Sequence, residues 1–165
     1  MGLGEILKRD GGEAMHKILV LNGPNLNVLG RRDSALYGTR TLPELERVLL
    51  VLAATLGLAL EFFQSNLEGE LIDRIQLTQA AAIVINPGAL AHYSVALHDA
   101  LLDFSGPVVE VHLSNIHARE TFRRQLVTAA AADGLVSGFG FESYKLGLLA
   151  AARLLDGKDN HEGSA

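Results

Sequence analysis

The chain has 165 residues, a formal net charge of −5 and no cysteine; 48% of its residues are hydrophobic and 20% are charged. This length and composition predict one folded domain and exclude a disordered chain, and the acidic balance argues against nucleic-acid and anionic membrane partners. The lack of cysteine excludes disulfides, thiol catalysis and thiolate metal sites, and it is compatible with the reducing cytoplasm, where we expect the protein.

Two polar, glycine-containing ends, residues 1–15 and 157–165, are expected to be loose tails on a single domain that spans residues 16–156. The longest strongly apolar run without a charge, residues 48–60, is shorter than the ~18–20 residues of a membrane span, so no membrane partner is expected. The mean hydropathy of +0.23 is high for a monomer. We therefore expect other subunits to cover part of the apolar surface.

Short apolar runs alternate with helical stretches along the domain. Predicted strands cover residues 17–21, 58–64, 82–85, 107–112 and 135–136. Predicted helices cover residues 41–57, 69–79, 92–102 and 144–155, with a further short helix that carries Arg119 and Arg123. This alternation predicts an α/β fold in which helices cover both faces of a five-stranded parallel sheet. The expected strand order is 2-1-3-4-5, the winding of a flavodoxin-like three-layer sandwich.

Uncharged polar side chains follow three of the predicted strands at their carboxyl ends. Asn22 and Asn25 follow strand 1, Asn86 follows strand 3, and His112 and Ser114 follow strand 4. Strands 1, 3 and 4 are neighbours in the predicted order, and ligands of such sheets bind beyond the carboxyl ends at this switch point. These hydrogen-bonding groups favour a small polyhydroxylated ligand over a phosphate.

Nucleotide sites do not fit this edge of the sheet. The loop of residues 22–27 contains no serine or threonine, and no helix follows it until Thr41, unlike a phosphate-binding loop. Gly138 and Gly140 match part of a dinucleotide fingerprint, but they follow the last strand and are explained as a tight turn into the last helix. A phospho-receiver would carry paired acidic residues after strand 1, where the sequence has none.

Metal and amine chemistry are also poorly supported. The pairs His112/His117 and His92/His98 are five and six residues apart, which does not place two ligands side by side on one helix face. No metal site is therefore expected. A Schiff base needs a desolvated lysine at the site. None of the lysines follows the carboxyl end of a strand: they are Lys8, Lys17, Lys145 and Lys158.

Once nucleotide, metal and amine chemistry are set aside, acid–base chemistry remains, and each candidate residue for it has two open interpretations. Tyr37 lies in a glycine-bounded loop with two arginines. It is either a base whose pKa these cations lower or a half-buried residue of a mobile surface loop. His112 is either a general acid or a satisfied core histidine. Arg119 and Arg123, four residues apart, form either a carboxylate clamp or a solvated basic face.

Several long motifs occur in a fixed order along the chain. They are LNGPNLNVLGRR at 21–32, QSN at 64–66 with EGELID at 68–73, INPGA at 85–89, and EVHLSNIHARE at 110–120. Together with His92 and residues 94–97 they closely resemble type II 3-dehydroquinate dehydratase, over about residues 17–155. The resemblance implies a cofactor-free enzyme of the shikimate pathway. Such an enzyme converts 3-dehydroquinate to 3-dehydroshikimate by anti elimination of water through an enolate.

The resemblance assigns the proton-transfer steps to matching positions. Tyr37 looks like the base that takes the C2 proton, and Arg32 and Arg119 would hold it as a phenolate. His112 looks like the acid that protonates the leaving C1 hydroxyl, and Glu110 would steady its ring.

Further matching positions imply contacts with water and substrate. Asn25 looks like the residue that orients a water against the enolate oxygen. The substrate contacts implied by the resemblance are Asn86, His92, Leu113, Ser114 and Arg123. A flavodoxin-like small-ligand-binding module without turnover is the alternative function, and a direct dehydratase assay separates the two.

An assembly is implied as well, a homododecamer built as a tetramer of trimers. Asp99 matches an acidic residue that the family delivers from a neighbouring subunit. On the predicted helix of residues 92–102, Asp99 and His92 would lie about 10 Å apart along the axis. One small substrate cannot easily contact both from one chain, and a neighbour that supplies Asp99 resolves this.

Overall fold

A computed structural model of the chain describes residues 15–31 and 38–162, with side chains up to residue 157. The predicted site residues Arg32 and Tyr37 lie outside the described residues, as does nearly all of the predicted N-terminal tail.

The centre of the fold is a parallel sheet of five strands in the order β2-β1-β3-β4-β5, as the sequence predicts. The strands are β1 (Lys17–Asn22), β2 (Ala59–Gln64), β3 (Ala82–Asn86), β4 (Val108–His112) and β5 (Gly134–Ser137). β3 and β4 are buried along their whole length. Such continuous apolar runs are typical of strands covered by helices on both faces.

Helices cover the two faces of the sheet in pairs. They are α1 (Leu42–Leu56), α2 (Glu68–Leu77), α3 (Val95–Leu102) and α4 (Glu142–Glu162). α1 begins at the predicted capping box, in which the Thr41 backbone N–H donates to the Glu44 carboxylate at 2.7 Å. It ends at Gly57, whose φ of +64° is the left-handed conformation that glycine adopts at low cost.

Alternate residues of each strand point to opposite faces and build two apolar cores. α1 and α4 cover one core, whose buried members include Ile18, Val20, Leu45, Leu49, Val84, Val109 and Leu148. α2 and α3 cover the other, whose buried members include Leu19, Leu21, Leu71, Ile83, Ile85 and Leu97. The predicted three-layer sandwich is thereby confirmed.

The predicted helix over residues 92–102 is divided in two. Residues Gly88–His92 form a 3₁₀ turn, and α3 begins only at Val95. Ser94 causes the break because its side chain accepts the Leu97 N–H at 2.9 Å and so caps a new helix. His92 and Asp99 therefore do not share one helix, and the expected axial separation between them was derived from the wrong geometry.

The predicted short helix with Arg119 and Arg123 on one face is also wrong. Separate 3₁₀ turns replace it, at Ile116–Ala118, Thr121–Arg123 and Thr128–Ala131. Asn115 starts the first turn by accepting the His117 N–H at 3.1 Å. Short side-chain caps of this kind compete with a continuous helix, which explains why regular spacing failed as a guide here.

The last helix is longer than predicted. α4 continues to Glu162, so residues 157–162 are helical and not a loose tail. Gly157 has the lowest helix propensity of residues 155–162. A single interior glycine costs only about 1 kcal/mol relative to alanine, which the rest of a long helix offsets.

Several large apolar side chains stay on the surface of the chain. Leu50 and Val51, which lie off the core stripe of α1, are 48% and 70% exposed, and Leu146 and Leu149 of α4 are also exposed. None of the helices in the described ranges is long and apolar enough to cross a membrane.

Tyr144 is fully buried in the first turn of α4, and its hydroxyl donates to Oδ1 of Asn22, the last residue of β1, at 2.6 Å. Burial raises the pKa of this hydroxyl above its usual range. The folded state therefore favours the neutral phenol. Its contribution to stability is complete below about pH 10, the ordinary tyrosine pKa, and declines at higher pH as the unfolded chain ionises first.

We expect the free energy of unfolding to fall above about pH 10 in the native chain, and less steeply in Tyr144→Phe. At pH 7 the variant should lose about 1–3 kcal/mol because Asn22 Oδ1 stays buried without its donor. Urea unfolding from pH 7 to 11 measures both effects, with the exposed Tyr93→Phe as the matched control. Parallel pH profiles for the native chain and Tyr144→Phe would contradict this assignment.

Candidate active site

A pocket of about 120 Å³ opens at the carboxyl ends of β1, β3 and β4, the switch point at which the sequence predicts a ligand site. It is lined by Pro24, Asn25, Leu26, Asn86, Gly88, Ala89, His92, His112, Leu113, Ser114, Ile116, Arg119 and Arg123. Polar side chains from three separate segments, those that follow β1, β3 and β4, thus converge on one small cavity.

The floor of the pocket is formed where the loops after β1 and β3 cross. The Gly23 N–H donates to the Asn86 carbonyl at 2.8 Å. A Cβ atom on Gly23 would lie only 2.3 Å from the Pro87 carbonyl oxygen, so no larger residue fits there. The Asn86 side chain is turned into this crossing, because its Oδ1 accepts the Gly88 N–H at 3.1 Å.

Asn25 stands at the rim in an unusual backbone conformation. Its φ of +68° is the only positive value among the described residues other than glycine. Asparagine tolerates this left-handed region better than most residues. The side chain of Asn66 holds the turn in place, since its Oδ1 accepts the Asn25 N–H at 2.9 Å. The strained turn presents Asn25 to the cavity, as expected where a site requires a fixed polar group.

The His112 ring is hydrogen-bonded to the buried carboxylate of Glu110. It is two residues from Glu110 on β4, so both side chains lie on the same face of the sheet. The Nε2 of His112 lies 2.7 Å from Glu110 Oε1, and the Thr128 hydroxyl donates to Glu110 Oε2 at 2.6 Å. Glu110 has no exposed surface, and a buried carboxylate is stable only with such partners. The remaining ring nitrogen of His112, Nδ1, is left for a ligand.

His92 is held through Nδ1, whereas His112 is held through Nε2. Its Nδ1 lies 2.9 Å from the carbonyl oxygen of Gln125. A carbonyl oxygen can only accept, so Nδ1 carries the proton and the neutral ring has Nε2 free to accept from a ligand.

Two arginines form one wall of the cavity. Arg119 Nη1 donates to Ser114 Oγ at 3.1 Å, and Nε of each arginine, Arg119 and Arg123, lies within 3.2 Å of Glu120 Oε2. A hydrogen bond from its own backbone amide, followed by the charges of the two arginines, lowers the pKa of Glu120. Their side chains are only 11% and 26% exposed, which favours the anion-binding interpretation over a solvated basic face.

The structure brings together most of the residues predicted for the site. Those that line the pocket are Asn25, Asn86, His92, His112, Leu113, Ser114, Arg119 and Arg123. Glu110 lies directly behind His112. Asp99 does not line the pocket of its own chain; its side chain is 68% exposed, with Oδ1 3.0 Å from His98 Nδ1.

Thr128 and the Gln125 carbonyl were missed by the sequence analysis. They belong to the segment between β4 and β5, which has no helical or strand periodicity, and a backbone carbonyl leaves no mark in a sequence at all. Asn66 lies within the QSN motif at residues 64–66, but its hydrogen bond to the Asn25 backbone is visible only in the folded chain.

The described lysine side chains are occupied elsewhere. Lys145 Nζ donates to Glu142 at 2.8 Å, and Lys17 Nζ lies 3.8 Å from the Glu61 carboxylate. Neither lines the pocket. The described walls of the cavity therefore offer hydrogen-bonding groups, a carboxylate-linked imidazole and two guanidinium groups. These groups can bind an anionic polyol and move protons.

Comparison with known proteins finds that the sequence matches one family. The family described as "Dehydroquinase class II" matches residues 16–152 of the chain. A 3-dehydroquinate dehydratase from Carboxydothermus hydrogenoformans is 51% identical over 150 residues, covering 90% of this chain and 97% of the relative. One from Thermus thermophilus is 55% identical over 142 residues, covering 84% of this chain and 95% of the relative.

Solved structures agree with the sequence relatives. The type II dehydroquinase from Butyrivibrio crossotus matches with a TM-score of 0.81 at 40% identity, covering 83% of this chain and 97% of that chain. The type II dehydroquinase from Propionibacterium acnes matches with a TM-score of 0.79 at 42% identity, covering 85% and 99%.

Proposed function

Because the chain belongs to the class II dehydroquinase family and is a hydro-lyase that dehydrates 3-dehydroquinate in the shikimate pathway, we propose that the pocket at the carboxyl ends of β1, β3 and β4 is its active site. The observation that carries this proposal is the imidazole of His112, which lines the pocket and is bonded to the buried Glu110 carboxylate. That pair is the arrangement a general acid needs.

The reaction removes a proton from C2, next to the C3 ketone, and then hydroxide from C1. Tyr37 takes the C2 proton as a phenolate, and the electron pair moves onto the ketone oxygen to form an enolate. The enolate then collapses to form the C1–C2 double bond, and the C1 hydroxyl leaves with a proton from His112. One water leaves and the product is 3-dehydroshikimate. Tyr37 ends as a neutral phenol and His112 as a neutral imidazole, so one proton must pass from Tyr37 to solvent and one from solvent to His112 before the next turnover.

His112 is suited to the second step by its partners. Glu110 stabilises the imidazolium through Nε2, and the proton is delivered from Nδ1 on the pocket side. The acid and the base act on opposite faces of the ring, which gives anti elimination. Glu110 itself does not contact the substrate because it is fully buried behind the histidine.

The remaining groups bind the substrate and stabilise charge. Asn25, held at the rim by Asn66, orients a water against the enolate oxygen. Arg119 and Arg32 favour the phenolate of Tyr37, since nearby cations lower the pKa of a phenol.

The substrate itself is a hydroxylated carboxylate, and the pocket offers a matching set of groups. These groups are Asn86, His92, Ser114, Arg123 and the backbone around Leu113. The alternative, a binding module without turnover, is not favoured, since the relatives are dehydratases and the described proton-handling groups lie at the pocket.

A direct assay tests the assignment. The purified chain should convert 3-dehydroquinate in buffer without added metal or cofactor, with growth of the conjugated enone absorbance of 3-dehydroshikimate. Tight binding of 3-dehydroquinate with no product over hours would support the binding module instead.

A role in the shikimate pathway is consistent with the cytoplasmic location expected from the sequence.

The quaternary structure that we propose is a homododecamer, a tetramer of trimers in which Asp99 reaches a neighbouring site. Asp99 is exposed and lies outside the pocket of its own chain, as a residue acting on a neighbour must. Large apolar side chains are exposed beside it at Tyr93, Val95 and Leu102. An apolar surface of this kind is typical of a subunit interface.

We expect two impaired variants, Asp99→Ala and Tyr37→Phe, to complement one another when they are co-assembled. In a mixed trimer some sites draw Tyr37 from one chain and Asp99 from its neighbour, both intact. The reciprocal sites carry both defects, so recovery is partial. Activity measured across mixing ratios should exceed the sum of the separate variants.

Light scattering first establishes that the mixed particle forms and is far larger than a monomer. Co-assembly of Tyr37→Phe with an Asp103→Ala chain, which changes another exposed acid near the end of α3, provides a control for the mixing procedure. Mixed particles that show no recovery at any ratio, with Asp99→Ala itself clearly impaired, would refute the shared site.

A further inference from the structure

We propose that Thr128 is a positioning residue for proton delivery by His112, acting through Glu110; the inference rests on the function proposed above. Thr128 is fully buried in the turn Thr128–Ala131 and does not line the pocket. It therefore has no direct contact with a ligand in the cavity, and any effect on turnover must pass through a neighbour.

That neighbour is the Glu110 carboxylate, whose two oxygens have separate partners. Oε2 accepts the Thr128 hydroxyl proton at 2.6 Å, and Oε1 lies 2.7 Å from His112 Nε2. Both oxygens of the fully buried carboxylate are thus occupied by partners, which fixes the plane of the group. The fixed carboxylate holds the His112 ring through Nε2 and directs Nδ1 to the pocket.

The segment that carries Thr128 is itself anchored at the site. The Val127 N–H donates to the Ala91 carbonyl at 2.7 Å, and the Gln125 carbonyl is bonded to His92 Nδ1 at 2.9 Å. Residues 125–128 therefore orient both histidines of the pocket, His92 directly and His112 through Glu110. This anchoring gives the Thr128 hydroxyl one defined direction.

Loss of the hydroxyl would leave Glu110 Oε2 buried without a donor. The carboxyl group would then either rotate away from His112 or compete with the imidazole for its proton. Each change reduces the fraction of molecules in which His112 can protonate the leaving hydroxyl. The loss should fall on kcat and leave KM nearly unchanged, because the groups that line the pocket are not altered.

Steady-state kinetics on matched variants test this role. Thr128→Val keeps the shape and removes the hydroxyl, and we expect kcat to fall by about tenfold or more with KM within about twofold. Thr128→Ser keeps the hydroxyl and should retain most of the native kcat. Thr55→Val is the control, since it removes an exposed hydroxyl bonded to the Leu52 carbonyl at the far end of α1.

A double-mutant cycle shows whether Thr128 acts through Glu110. In a Glu110→Gln chain, Thr128→Val should cause little further loss of kcat, because the carboxylate it supports is already gone. Full additivity of the two losses would overturn the proposal. So would an unchanged kcat in Thr128→Val, or equal loss in the serine and valine variants.

Where the valine variant does not assemble, Thr128→Ser and Thr128→Ala decide the same question, since the two differ only in the hydroxyl. Equal kcat in these two would overturn the proposal. Failure of the proposed function is recognised separately, because the native chain would then produce no enone at all.

Discussion

Replacement of Tyr37 by phenylalanine is expected to lower kcat by at least about 10²-fold, because the variant lacks the group that we propose as the base for the C2 proton. Substrate binding should be largely kept, since the phenyl ring has nearly the same shape. The variant should also lose exchange of the C2 hydrogen with deuterium from solvent, because no enolate forms.

Thr55→Val is the control, since it also removes a hydroxyl, and Thr55 is exposed at the far end of α1 and does not line the pocket. It should retain native kcat. A Tyr37→Phe chain with near-native kcat would remove Tyr37 from the mechanism, whatever the outcome of the other variants.

Replacement of His112 by glutamine should lower kcat by about 10²–10⁴-fold, the usual range for loss of a general acid. Glutamine can still donate to the Glu110 carboxylate, so the buried charge keeps a partner, but it has no proton to release near neutral pH. Because the step that we propose for His112 follows enolate formation, this variant should still exchange the C2 hydrogen of 3-dehydroquinate. Exchange without elimination is the pattern that separates the acid from the base.

An exposed histidine provides the comparison. His117→Gln, in a turn beside the pocket wall, should leave kcat within about twofold of the native value. Loss of both exchange and elimination in His112→Gln would assign His112 to the first step and would contradict the order of events proposed here.

The strand order and the position of the pocket could be predicted because they depend on alternating apolar periods and on the polar residues that end each strand. Asn86 and His112 end β3 and β4 in the sequence, and in the fold both line the same cavity. The roles of single residues did not follow from periodicity. The residues alone left Tyr37 as either a base or part of a mobile surface loop, and the resemblance to a known family favoured the base. The same resemblance suggested that Asp99 acts on a neighbouring site.

Local capping explains where the predictions from spacing were wrong. Ser94 caps α3 and separates His92 from Asp99, although their spacing suits one helix. Arg119 follows the turn Ile116–Ala118 and Arg123 ends the turn Thr121–Arg123, but both side chains still reach the same wall of the pocket. Side-chain-to-backbone hydrogen bonds of this kind act over two or three residues and override regular spacing.

Buried supports of the site were the least predictable part. Thr128 acts on Glu110 across 18 residues of chain, and Asn66 holds Asn25 across 41. Such contacts depend on how irregular segments pack against the sheet, and no short pattern in the sequence specifies them.

We propose that water is eliminated by proton transfer to Tyr37 and from His112, with no covalent bond between substrate and protein. Intact-protein mass spectrometry after sodium borohydride treatment during turnover tests this mechanism most directly, with an imine-forming enzyme as the positive control. We expect the unmodified mass of the chain, because the described lysines Lys17 and Lys145 do not line the pocket. A reduced substrate adduct on a lysine, in a chain that is turning over, would contradict it and establish an imine mechanism.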